Sequence, residues 1–132
     1  MHKTVEGCKW LQEQLVLRCE QMGIQDIPRL IFTTRDVLNM PVEQTEGRRV
    51  SAYKYLGVCY RDAKTILVNI RHKAIKRLNG GKFGTAEETL IHELVHYRFV
   101  HLNHGKEFNK RVRDIKHGKV WPMKNSTVST GI

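Results

Sequence analysis

Between residues 4 and 22 the apolar side chains Val5, Cys8, Leu11, Leu15 and Cys19 recur at intervals of three and four, with Val16 and Leu17 widening the stripe. That interval is one face of an α-helix, and Gly23 supplies its C-terminal stop. Residues 27–33 are a short β-rich run that opens beside Pro28 and reads as an edge or first strand. Residues 36–49 carry Pro41, Gly47 and several charges without a clear period, which predicts a loop with room for one helical turn. Two further strand-like runs, 53–60 and 65–70, are separated by the four residues 61–64. That is the length of a hairpin turn, so the two are expected to pair antiparallel. Residues 71–78 are weakly helical and stop at Asn79-Gly80-Gly81.

The strongest local signal follows. Thr85 and Glu88 have the spacing of a capping box, with Thr85 as N-cap, and open a helix expected to run from 86 to about 101. Its apolar residues Leu90, Ile91, Leu94, Val95, Phe99 and Val100 spread around most of the circumference, the mark of a buried helix. Asn103 and Gly105 break the pattern, and 107–116 forms a short helix with Phe108, Val112 and Ile115 on one face. These elements predict one α+β domain over residues 1–124. It has an N-terminal amphipathic helix, a small antiparallel sheet with a hairpin, a buried helix, and a short basic helix. Residues 125–132, rich in Ser and Thr, read as a flexible tail.

Composition narrows the class. A chain of 132 residues with 40% hydrophobic and 27% charged residues is long enough to bury a core without disulfides and lies outside the disordered range. No stretch approaches the roughly 18 apolar residues of a membrane span, and the N-terminus has no continuous apolar region of a signal peptide, so neither membrane nor secretion is expected. Cys8, Cys19 and Cys59 are odd in number and form no CxxC pair, which argues against a disulfide framework or a zinc ribbon. They read as small core residues in a reducing, cytoplasmic setting.

Within the buried helix lies His92-Glu93-Leu94-Val95-His96, an HExxH sequence. Four residues advance a helix by about 400°, so both imidazoles leave one face, one turn apart, within reach of one Zn²⁺. Glu93 is rotated away from both and can address a water without ligating the metal. This division of labour is what metal-assisted hydrolysis requires: imidazoles hold the ion, the ion acidifies water, and a carboxylate takes the proton as general base. Composition alone predicts roughly 0.02 occurrences of the motif in such a chain, so chance explains it poorly. Polar groups among Ile91, Leu94, Val95 and Phe99 also cost stability unless something satisfies them.

A catalytic zinc takes a third protein ligand. His101 falls on the wrong side of a continuing helix. His104, between Asn103 and Gly105, can fold back toward the site and is favoured; Glu107 is a weaker candidate because it starts the next helix. The metzincin spacing fails, since Phe99 and Leu102 occupy its glycine and third-ligand positions.

These residues resemble the SprT-like metalloproteases. The resemblance rests on Leu90-Ile91 before HELVH, on His104-Gly105-Lys106-Glu107-Phe108, which matches that family's downstream HGxEF segment, and on the strand Ile66-Leu67-Val68-Asn69. It implies a zincin-like fold, one catalytic Zn²⁺ on His92, His96 and His104, Glu93 as catalytic acid/base, and cleavage of DNA-associated or DNA-crosslinked proteins. The chain departs from some family members in having no cysteine after Cys59 and no long recruitment tail after the third histidine.

Charge bears on the partner. Lys+Arg total 23 against 13 Asp+Glu, a formal net charge of +10. The excess is concentrated on both sides of the HExxH helix: Arg71, Lys73, Lys76, Arg77 and Lys82 precede it, and Lys110, Arg111 and Arg113 follow. If the two groups also flank it in space, the cleft has a positive rim suited to DNA, single strands above all, with Tyr53, Tyr55, Tyr60 and Trp121 as candidate stacking surfaces. Taken singly, each Lys or Arg reads more readily as a solvated side chain and each tyrosine as packing of the hairpin against the core; the polyanion reading rests on the summed asymmetry. Two other readings fit the sequence: a DNA- or RNA-binding module with a structural metal, and a metal-dependent hydrolase of a non-peptide substrate. Glu93 argues against the first, because a structural site needs no base.

Overall fold

In a computed structural model, residues 2–45, 55–72, 84–100 and 102–120 are described. Their elements are helix α1 (His2–Gln21), strand β1 (Arg29–Ile31), helix α2 (Thr34–Leu38), a 3₁₀ turn (Val42–Thr45), strands β2 (Gly57–Tyr60) and β3 (Thr65–Val68), and helices α3 (Gly84–Arg98) and α4 (Lys106–Lys116). The architecture is α+β, as expected. Expectations for 46–54, for most of 71–78, for His101 and for 121–132 lie outside the described residues.

Helix α1 buries Leu11, Leu15 and Cys19, while Val16 and Leu17 are exposed, so the stripe is narrower than the sequence suggests. Gly23 ends it as expected. At φ 69° it lets its own N–H reach Glu20 and the Ile24 N–H reach Cys19, the paired bonds of a Schellman stop.

The sheet has the order β1-β3-β2. Strands β2 and β3 form the expected antiparallel hairpin, Gly57 opposite Val68 and Tyr60 opposite Thr65. Strand β1, however, pairs parallel with β3, so the sheet is mixed rather than antiparallel. Parallel pairing is joined by a long connection and leaves no local turn signature to read. Every residue of β3 is buried, because both faces of the sheet are covered. Cys59, Ile66 and Val68 face a core shared with α1, α3 and α4, while Ile31, Val58, Tyr60 and Leu67 face a smaller one closed by Val37 and Met40. Tyr60 is thus a core residue and no stacking surface for bases.

Two helix starts also differ from expectation. Helix α3 begins at Gly84, so Thr85 lies within its first turn, where its carbonyl accepts from the Thr89 hydroxyl at 2.7 Å. A capping box does occur, but at α2: the Thr33 hydroxyl accepts from the Asp36 N–H, and the Asp36 carboxylate accepts from the Thr33 N–H. Helix α3 ends at Arg98, three residues before the expected stop.

Helices α1, α3 and α4 are tied by one polar junction. Arg18 pairs with Glu87 at 2.7 Å and donates to the Ile115 carbonyl at 3.0 Å; Gln21 donates to Ile115 and Lys119. The Ile115 carbonyl, which also accepts from the Gly118 N–H at 3.0 Å, and the Lys119 carbonyl just beyond α4 thus tie the end of that helix to α1. No helix among the described residues is long and apolar enough to cross a membrane, and no disulfide joins the three cysteines.

Candidate metal centre

Helix α3 carries the site because it is buried on the side that faces the sheet. Ala86, Leu90, Ile91, Leu94 and Val95 are wholly enclosed, leaving His92 and His96 half-buried on the open side. The chain leaves the helix after Arg98, and His104, just before α4, returns to the same place. The two expected helical imidazoles and the favoured third histidine therefore converge.

Their ligating nitrogens all lie within 4.8 Å of one another. The Nε2 atom of His96 stands 3.2 Å from that of His92 and 2.8 Å from that of His104. Hydrogen bonding among the rings serves this arrangement badly. One imidazole nitrogen is either a donor or an acceptor, so His96 Nε2 must spend one proton or one lone pair on both neighbours. A cation serves it well: three nitrogens bound tetrahedrally at about 2.0–2.1 Å sit roughly 3.3 Å apart. The three histidines are close enough to bind a metal ion. Burial, followed by the charge of nearby His104, holds the His92 pKa below its ordinary value, which favours the neutral ring a metal requires.

Beneath the imidazoles lies Phe108, fully buried, with its ring centre 4.7 Å from His92, 4.5 Å from His96 and 4.9 Å from His104. It is the floor that sets their tilt, one residue after Glu107 in the first turn of α4. In sequence Phe108 is visible as a core position and as the last residue of the His104–Phe108 segment, but neither reading sets it beneath the imidazoles.

Glu93 is 7% exposed and lines two adjoining cavities. The larger, about 560 Å³, is bounded by Leu56, Gly57, Thr89, His92, Val112 and Arg113 among others; the smaller, about 340 Å³, by Tyr55, Val58, Arg61 and all three histidines. The site is therefore a groove between α3 and strand β2. The entry to that strand is fixed by buried Asn69, whose N–H donates to the Leu56 carbonyl at 2.8 Å and whose side-chain amide donates to the Tyr55 carbonyl at 3.2 Å.

The basic residues divide. Arg113 is exposed at the groove and Arg71 is exposed after β3. Lys110 and Arg111 point their charges into ion pairs within α4, with Asp114 at 3.0 Å and Glu107 at 2.9 Å. Arg111 also lies over the Phe99 ring, as does Arg98. Lys73, Lys76, Arg77 and Lys82 lie outside the described residues. Arg61 and Gly57 are site residues that no motif marks.

Comparison with models of protein families, with curated proteins and with solved structures gives no match to this chain.

Proposed function

We propose that the protein is a zinc-dependent metallopeptidase acting on DNA-associated proteins. The observation that carries the reading is the convergence of His92, His96 and His104 at one point, with the carboxylate of Glu93 on the wall of the same cavity. Three imidazoles, no thiolate and an open side are the donor set of a catalytic zinc rather than a closed structural one. When bound, such an ion acidifies a water and polarises a carbonyl.

The chain's own residues would then divide the work. The imidazoles hold and orient, Phe108 fixes their tilt, and Glu93 takes a proton from the attacking water and returns it to the leaving amine. A peptide is favoured as substrate by strand β2. It is one of the two edge strands of the sheet among the described residues, and it is the one that borders the groove, along Gly57, Val58 and Cys59, so an extended chain can lie beside it by β-addition. The resemblance to SprT-like proteases around HELVH and His104 to Phe108 agrees with this reading and adds the DNA-associated substrate. The net charge of +10 and Arg113, exposed at the groove, favour a polyanion there.

The substrate class is tested by incubating the zinc-loaded protein with a DNA-binding protein, with and without single-stranded DNA, over a salt series. Cleavage that rises with DNA and declines with salt is expected. Cleavage indifferent to both would remove DNA from the account, and salt-sensitive DNA binding without cleavage would favour the binding module.

A further inference from the structure

Arg61 opens the turn after β2 and lines the same cavity as His92, Glu93, His96 and His104. It is half-buried. One terminal nitrogen donates to the His96 carbonyl at 3.1 Å, a carbonyl in the last turn of α3, where helical partners run out. Its Nε is buried and has no hydrogen-bond partner among the described residues. A guanidinium offers five donors in a rigid fork; here a single bond anchors the fork while other donors remain for the cavity. Leaving a charged donor partly desolvated and unsatisfied is costly, and capping one carbonyl needs only one N–H.

Charge sharpens the point. A dication on the three histidines, with Arg61 beside it and Glu93 the one carboxylate among the described residues that line this cavity, would leave it positive and suited to an anion. Peptide hydrolysis generates one there. As the water oxygen bonds to the carbonyl carbon, a proton passes to Glu93 and the C=O electron pair moves onto oxygen. Collapse re-forms C=O, breaks C–N and returns the proton to the amine, for a net peptide plus water to acid plus amine. Negative charge thus leaves the carboxylate and appears on the substrate oxygen, where a fixed guanidinium acts.

We propose that Arg61 is a catalytic residue that donates hydrogen bonds to the substrate oxyanion; the assignment rests on the metallopeptidase reading above. Tyr55 is the other donor on this wall, but it is 43% exposed, whereas Arg61 is held by the helix that carries two of the metal-site histidines.

The test compares the zinc-loaded parent with Arg61→Gln, Arg61→Ala and Tyr55→Phe. Arg61→Gln keeps a polar side chain of intermediate length without the charge, and so is the milder of the two changes to the fold. Expected for both Arg61 variants are zinc content and melting temperature close to the parent, kcat lower by about 10²–10³ with KM little changed, and a comparable loss of affinity for a phosphinic peptide, the stable tetrahedral anion. Guanidinium ion in solution should partly restore Arg61→Ala. Loss of zinc in parallel with activity, unchanged phosphinic-peptide affinity, or a comparable kcat loss in Tyr55→Phe overturns the assignment. If the parent cleaves and Glu93→Gln does not, while the Arg61 variants match the parent, only the Arg61 assignment falls. A parent that cleaves no peptide defeats the metallopeptidase reading and this assignment together.

Discussion

A methyl group on Gly57 would stand 3.1 Å from Cγ of Glu93, so strand β2 meets helix α3 at the very side chain assigned as general base. The same methyl would lie 2.6 Å from Thr89 Cγ2 and 2.8 Å from the Leu67 carbonyl oxygen. Only a residue without Cβ lets the strand approach so closely. Gly57→Ala is therefore expected to destabilise the protein by about 1–3 kcal/mol. It should also lower turnover more than zinc content, because small displacements of a catalytic group are costly. Denaturant melts and metal analysis check this; a variant equal to the parent in both contradicts it.

Phe108 is the second support. Phe108→Ala removes a fully buried ring and should cost about 3–5 kcal/mol, while Phe108→Leu retains most of the volume and should fold. Both should weaken metal affinity although neither removes a ligand. Calorimetric zinc titration of Phe108→Leu measures the effect, and an unchanged affinity would show that the imidazoles are oriented without the ring.

Metal removal should leave the fold intact. Buried residues from α1, β1, β2, β3, α3 and α4 form a core that does not include the histidines. Chelator should preserve the far-ultraviolet dichroism, and zinc at a thousandfold above its Kd should add about 4 kcal/mol. Collapse of the helical signal on chelation would mark the metal as structural and favour the binding-module reading.

The cysteines should differ in reactivity. Burial pushes the Cys19 thiol up to about 12 from an ordinary value of 9.0, which reduces its thiolate about a thousandfold at neutral to mildly alkaline pH. Burial and then Asp36 raise Cys8 as well, but it is only half-buried. Alkylation at pH 8 should label Cys8 first and reach Cys19 only on unfolding. Peptide mapping of the labelled sites decides it, and early labelling of Cys19 would contradict the packing of α1.

Much of the site was legible because its logic is local. HExxH fixes two imidazoles through helix geometry alone, and the break at Asn103 and Gly105 marks where His104 can turn back. Gly23 and the four-residue hairpin turn are equally local signals. What escaped the sequence depends on tertiary packing. Leu17 satisfies a helical stripe yet is exposed, because periodicity sets the direction of a face and not its width. The α2 helix buries only Val37, so no period reveals it, although its Thr33 and Asp36 cap is present in the letters. Tyr60 fits either a stacking surface or hairpin packing in sequence, and it lies in the smaller core because both faces of the sheet are covered. Arg61 reads as an ordinary turn residue until the fold brings it against the His96 carbonyl.

The central claim, that Glu93 activates water beside a three-histidine zinc site, is tested most directly by Glu93→Gln. Zinc content and cleavage of one protein substrate should be measured on the same preparations. The account predicts one zinc per chain in parent and variant alike, with cleavage lost in the variant by at least about a hundredfold. Equal cleavage by a fully loaded Glu93→Gln protein would contradict it.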